Sequence, residues 1–218
     1  MKIPRPLFVL PMLASIACAL EPPVNSTDIA TSDLAFNMTL QGTPASTHLS
    51  ISAFGPGPRV RLVEGDALRL ETPIGTIPLA IDGHGVGLDL PPVGGSFELV
   101  LTRPPGRGDG IRQSFYLAPP FALRPPVTAS RAQSVTFSWD RADGPHGVTI
   151  SVGGECLAPI TRSLSFDVGT YTFNPYELAS SAAKPGTCKG TVQITKATLP
   201  LTYFSAVQTT RAEFESTP

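Results

Sequence analysis

Apolar residues recur at every second position in short runs along most of this chain, and each run stops at a glycine- or proline-containing turn. A period of two is the period of a strand: successive side chains point to opposite faces, so alternation buries one face and leaves the other in water. The first series reads Leu34, Phe36, Met38, Leu40; then Leu49, Ile51, Ala53; then Val60, Leu62 and Leu68, Leu70 around Glu64-Gly65-Asp66. It continues with Ile77, Leu79, Ile81, with Val86, Leu88, Leu90 beyond Asp82-Gly83-His84-Gly85, and with Phe97, Leu99, Leu101 and Phe115, Leu117. Such short strands at turn-marked intervals predict an antiparallel sandwich. The 24 prolines and 20 glycines argue the same way, because they punctuate turns and interrupt long helices.

Pro119-Pro120 and Pro125-Pro126 bracket Phe121-Ala122-Leu123-Arg124, and proline cannot donate to a ladder. A boundary is expected there, with one sandwich over residues 33–120 and a second over 121–218. The second series runs Val135, Phe137, Trp139; Val148, Ile150, Val152; Leu164, Phe166; Tyr171, Phe173; Val192, Ile194; and on to Phe204 and Phe214. Val135-Thr136-Phe137-Ser138-Trp139-Asp140 resembles an early strand of an immunoglobulin-like or fibronectin type III-like domain, which implies a tryptophan packed between two sheets. The expected fold class is all-β, two such sandwiches in tandem, with one short helix in the second. That helix is predicted from Asn174 as its cap, Pro175 at its first position and Glu177 closing a capping box, with Lys184-Pro185-Gly186 ending it.

At the N-terminus, Lys2 and Arg5 precede an apolar run from Leu7 to Ala17 that is too short to span a bilayer, the pattern of an export signal over residues 1–18. Ser15-Ile16-Ala17-Cys18 resembles the lipobox of bacterial lipoproteins. The resemblance implies that Cys18 is acylated and holds the protein on a membrane, and Ala19 after it implies an outer-membrane address. Leu13 stands two places too early for the family pattern, and Ala17-Cys18-Ala19 also fits ordinary secretory cleavage, which would remove Cys18 and free the protein. Residues 19–32 are rich in Pro, Ser and Thr without periodicity and read as a flexible tether. Asn25-Ser26-Thr27 and Asn37-Met38-Thr39 match the glycosylation sequon, which matters only in a eukaryotic secretory pathway.

Processing at Cys18 accounts for one of three cysteines and leaves Cys156 and Cys188, which in an oxidising compartment predict a disulfide. On the chain-entropy model it stabilises the second domain by about 3–4 kcal/mol. A zinc site is disfavoured, since no histidine stands near either thiol.

A net charge of −1 provides no basic field for nucleic acid. His48, His84 and His146 are scattered, and no Gly-x-Ser-x-Gly elbow, His-Glu-x-x-His pair or phosphate loop occurs, so no catalytic residue, metal or small-molecule cofactor is predicted. Two loops are weak binding candidates. Arg107-Gly108-Asp109 lies in a glycine-rich connection, the kind of setting in which fibronectin type III-like modules present this tripeptide to integrins, and Asp140 and Asp143 share the loop after Trp139. Loop carboxylates beside glycine can collect calcium, but short polar turns favour Asp for backbone reasons. The expected function is a non-catalytic binding module of the cell envelope, attached through its lipid and engaging another envelope protein. The alternatives are a passive spacer or a freely secreted adhesion-type protein.

Overall fold

The computed structural model describes residues 22–56, 59–63, 65–144, 146–181, 186–198 and 204–218; the signal-like segment and Cys18 lie outside them. The first half contains strands β1 (Val24–Asn25), β2 (Ala35–Gly42), β3 (Thr47–Phe54), β4 (Val60–Arg61), β5 (Ala67–Thr72), β6 (Gly75–Leu79), β7 (Val86–Leu90), β8 (Gly95–Thr102) and β9 (Ile111–Leu117). The second contains β10 (Leu123–Arg124), β11 (Thr128–Ser130), β12 (Val135–Trp139), β13 (His146–Gly154), β14 (Leu157–Leu164), β15 (Thr170–Phe173), β16 (Cys188–Thr198) and β17 (Phe204–Thr217). The chain is all-β. The alternation works as read: Phe36, Met38 and Leu40 of β2 and Leu49 and Ile51 of β3 are buried, while the residues between them face outward.

Two apolar cores form. The first joins Leu34, Met38, Leu49, Leu70, Leu99 and Leu117 with their neighbours; the second joins Phe137, Trp139, Ile150, Phe173, Ile194 and Phe214 with theirs. A four-stranded sheet, in the order β6-β5-β8-β9, closes the first core on one side, and β10-β12-β15 closes the second. The opposite side of both is one continuous sheet in the order β14-β13-β16-β17-β2-β3-β7, with β11 also on β17.

Strand β17 makes that continuity. Its first residues pair in parallel with β2, from Phe204 opposite Met38 to Gln208 opposite Gly42. From Val207 onward it pairs antiparallel with β16, ending at Ser216 opposite Cys188. Phe204 and Ala206 therefore belong to the first core, although they lie among residues 121–218. The pairing of β17 with β2, and that of β11 with β17, are parallel, which corrects a purely antiparallel expectation. At the crossing, a Cβ on Gly42 would meet the end of the buried Gln208 side chain. Side chains seal the joint: Thr198 Oγ1 donates to Tyr116 O at 2.6 Å and Thr210 Oγ1 to Phe121 O at 3.0 Å.

Two further expectations need correction. Of the tether expected over residues 19–32, the described part, from residue 22 on, is folded. Val24 and Asn25 pair with Val60 and Arg61, 3-10 turns follow at Ser26–Asp28 and Thr31–Asp33, and Ser26 is fully buried. The helix from Asn174 is a single turn among the described residues. The capping hydrogen bond does form, Asn174 N donating to Glu177 Oε2 at 2.9 Å. The other oxygen of Glu177 is drawn across to Arg162, Tyr176 adopts φ 65°, and Ser180 then bridges to Leu157. A bulky residue in the left-handed region cannot continue a helix.

Phe204 stacks on Phe115 at 5.8 Å, and Phe115 on Phe97 at 5.4 Å. Replacing Phe204 by Ala is expected to cost about 3–5 kcal/mol, the usual range for emptying a buried aromatic site. Native-state hydrogen exchange checks it: the loss should fall on the amides of β2, β3 and β8 in the first core, far from the mutated strand in sequence.

Candidate functional site

The first predicted loop lies against residues 27–32, beside the first core. Arg103, just past β8, is buried and reaches back to the N-terminal segment: Nη1 donates to Ile29 O at 2.9 Å and Thr31 Oγ1 at 3.0 Å, and Nη2 to Ser26 O at 2.5 Å. Its Nε donates to Asp66 Oδ1 at 3.3 Å, and the Asp66 side chain is wholly buried. Charged groups are tolerated inside when paired and hydrogen-bonded, as this arginine is on every edge of its fork. The 104–110 loop folds over the same point. Gly106 and Gly108 have φ of 89° and 92°, conformations that glycine adopts without steric cost, and Thr31 Oγ1 donates to Arg107 O at 2.9 Å.

Between this loop and residues 27–32 lies an open cleft of about 830 Å³, lined among others by Thr27, Ser32, Arg107, Asp109 and Ile111. The loop does not present a free Arg-Gly-Asp tripeptide. Arg107 is half-buried, with Nη1 turned in to 3.9 Å from Asp66 Oδ1, while Gly108 and Asp109 are exposed.

In the second predicted loop, the Asp140 carboxylate is engaged by residues outside the loop. Asp140 Oδ1 is 2.5 Å from Arg124 Nη2, and Oδ2 accepts from Ala122 N at 3.0 Å, which fixes the connection between the sandwiches. The Ala122 N–H first, and Arg124 after it, hold the Asp140 carboxyl below the usual carboxylate range. Asp143 is exposed, and its carbonyl oxygen bonds His146 Nε2 at 2.9 Å. His146 is fully buried against Tyr116, with ring centroids 5.2 Å apart. Among the described residues no three His, Cys, Asp or Glu side chains are grouped to hold a metal, and no helix is long and apolar enough to cross a membrane.

At this joint sits a buried ion pair that sequence reasoning missed. Lys196 Nζ is 2.8 Å from Asp167 Oδ2, both side chains being 1% exposed. The ammonium also donates to Asp140 O and lies 4.1 Å above the Phe121 ring. Asp167 accepts three more bonds: from Trp139 Nε1 at 2.8 Å, Ala142 N at 2.8 Å and Gly169 N at 3.1 Å. Parity along β16 was the available signal, because Lys196 shares the inward face with Val192 and Ile194. On either side of Asp167 the chain turns apolar residues outward, Phe166 at 71% and Val168 at 56% exposure. Phe166 is thus not the inward strand residue that alternation predicts, since β14 ends at Leu164.

No family model matches this chain, and no curated protein matches it. It is similar to several solved structures. One, from work on a 1.5-MDa bacterial ice-binding adhesin, is 10% identical, with 84% of this chain and 65% of that one covered and a TM-score of 0.27. A cytokine receptor complex is 14% identical, with 82% and 95% covered and a TM-score of 0.36. A two-domain fibronectin type III segment of chicken tenascin is 12% identical, with 84% and 98% covered and a TM-score of 0.31. This chain thus spans less than two thirds of the adhesin chain.

Burial pushes Asp167 up, but the Lys196 ammonium, the Ala142 N–H and the Trp139 indole outweigh it and hold the carboxyl below its usual range. A carboxylate with a depressed folded pKa contributes stability that is complete above its unfolded value of about 3.9 and is lost as pH falls through the lower folded value. Lys196→Met removes the counter-ion of a buried carboxylate and is expected to cost about 3–5 kcal/mol. Urea titrations from pH 7 down to pH 2 check both effects: Asp167→Asn should lessen the acid-induced loss of stability of the second core.

Proposed function

We propose that the protein is an exported, non-catalytic binding module of the cell envelope, and that it docks a protein partner through the 165–169 loop. The supporting observation is the pair Phe166 and Val168, held in water by a loop whose central residue, Asp167, is buried and bonded on both oxygens. A loop already held in position loses little freedom on binding, and exposed aromatic anchors dominate interface energies. The rim carries both signs, with Arg141 and Asp143 exposed, which suits a protein surface better than an anionic bilayer.

Export is supported by the Cys156–Cys188 disulfide, since such bonds persist in oxidising compartments. The anchor in this reading is an acylated Cys18 at the outer membrane. Cys18 stands six residues before Val24, the first paired residue among those described, and an extended chain of that length reaches at most about 20 Å. The folded body then rides close to the lipid, with its first sandwich nearest. A passive spacer is the second reading, favoured by the single sheet that stiffens the long axis of both sandwiches.

Two measurements test the proposal. Cys18→Ser should move the protein from the membrane pellet to the soluble fraction, and mass spectrometry of the mature N-terminus should find acyl chains on Cys18; an unmodified start at Ala19 removes the anchor. Phe166→Ser with Val168→Ser, both at exposed positions, should leave the unfolding midpoint unchanged and weaken binding to a purified envelope fraction by about tenfold, roughly 1.4 kcal/mol. Equal binding by the double variant, or no binding by either protein, favours the spacer.

A further inference from the structure

The disulfide joins Cys156 at the start of β14 to Cys188 at the start of β16, with a sulfur separation of 2.03 Å. Its two sulfurs stand in unlike surroundings. Cys156 is buried, at 2% exposure, and its Sγ accepts a hydrogen bond from Arg131 Nη1 at 3.2 Å. Arg131 is itself 5% exposed, and its guanidinium donates to two other neutral acceptors, Ser216 Oγ at 3.1 Å and Gly186 O at 2.9 Å. Cys188 Sγ accepts from a neutral donor, Cys156 N at 3.1 Å, and the residue is half-buried and lines an open cavity of about 400 Å³ with Thr187, Lys189, Glu213, Phe214 and Glu215.

We infer that Cys156–Cys188 is a thiol-exchange site with a fixed direction of attack. An incoming thiolate reaches Cys188 Sγ from the cavity and forms a new sulfur–sulfur bond with it. The bond to Cys156 breaks, and its electron pair leaves on Cys156 Sγ as a thiolate beside the Arg131 guanidinium. A second thiol from the donor then attacks the mixed disulfide, releasing Cys188 as a thiol and carrying away the oxidised donor; two electrons pass in all. Exchange is fastest through the sulfur whose partner leaves as the more stable thiolate, and a neighbouring cation supplies that stability. Opening also gives the buried guanidinium an anionic partner, which offsets part of the chain-entropy cost of losing the cross-link. The substrate is a thiol, from either a small thiol or a thioredoxin-type protein dithiol.

The test treats the folded mature protein with millimolar reduced glutathione, and separately with a thioredoxin-type dithiol, while fluorescence of the one tryptophan, Trp139, reports that the second core stays folded. A glutathione adduct mapped to Cys188 is expected. Arg131→Met should slow its formation by about tenfold. Arg131→Lys, which keeps the charge, and Ser216→Ala, which removes a neutral partner of the same arginine, should react at close to the wild-type rate. Faster reaction with the dithiol than with glutathione identifies a protein donor, and the reverse a small one. An adduct on Cys156, equal rates for Arg131→Met and wild type, or opening only under denaturant that unfolds the domain would overturn the inference. The mapping on wild-type protein decides the direction of attack even where Arg131→Met does not fold.

Discussion

Everything in this structure hangs on one strand used twice. β17 has 14 residues and, at about 3.3 Å each, runs for about 45 Å. It lends its first side chains to the first core and the rest to the second, and it hydrogen-bonds to a neighbour on each edge at Val207 and Gln208. A hinge between the sandwiches would have to break that ladder. Bending is resisted by backbone hydrogen bonds, in addition to the side-chain contacts of Thr198, Thr210 and His146 at the joint.

Three buried cations do in the loops what strand pairing does in the sheets. Arg103 gathers the carbonyls of Ser26 and Ile29, Arg131 that of Gly186, and Lys196 that of Asp140. Irregular backbone leaves acceptors without partners, and a long side chain with several N–H groups satisfies more than one of them from a single buried position. Each cation differs in its counter-charge: Arg103 has Asp66 and Lys196 has Asp167, whereas the guanidinium of Arg131 meets neutral groups at the disulfide. The first two are fixed struts, and the third is poised for an anion.

How much of this was legible follows from the range of each interaction. Strand parity is local, so the inward faces of β2, β3, β12 and β13 could be read residue by residue, as could the pairing of two cysteines. The binding-loop candidates were legible only as loops. What Arg107 and Asp140 do depends on Asp66 and Arg124, partners that no spacing rule brings together. Residues 22–33 have the composition of a linker, and they are ordered by an arginine more than 70 residues away, as Arg103 to Ile29 illustrates. Lys196 stands on the inward face of β16 by parity, while its charge argues for water, and only the distant Asp167 reconciles the two. The strand ending that exposes Phe166 was hidden because alternation continues, as a pattern, one step past the last residue that pairs.

The parallel register of β17 on β2 has a consequence for the order in which the protein is made. A ribosome delivers the first sandwich long before Phe204, so a nascent chain that already holds β2, β3 and β7 carries an open edge at β2 and a gap beside Met38 and Leu40 where Phe204 and Ala206 belong. An unpaired edge next to uncovered apolar side chains is a template for the wrong strand, whether from a neighbour or from the same chain. The first core is therefore completed only after most of the second has been made, and its completion reports that Phe204 and Ala206 have arrived.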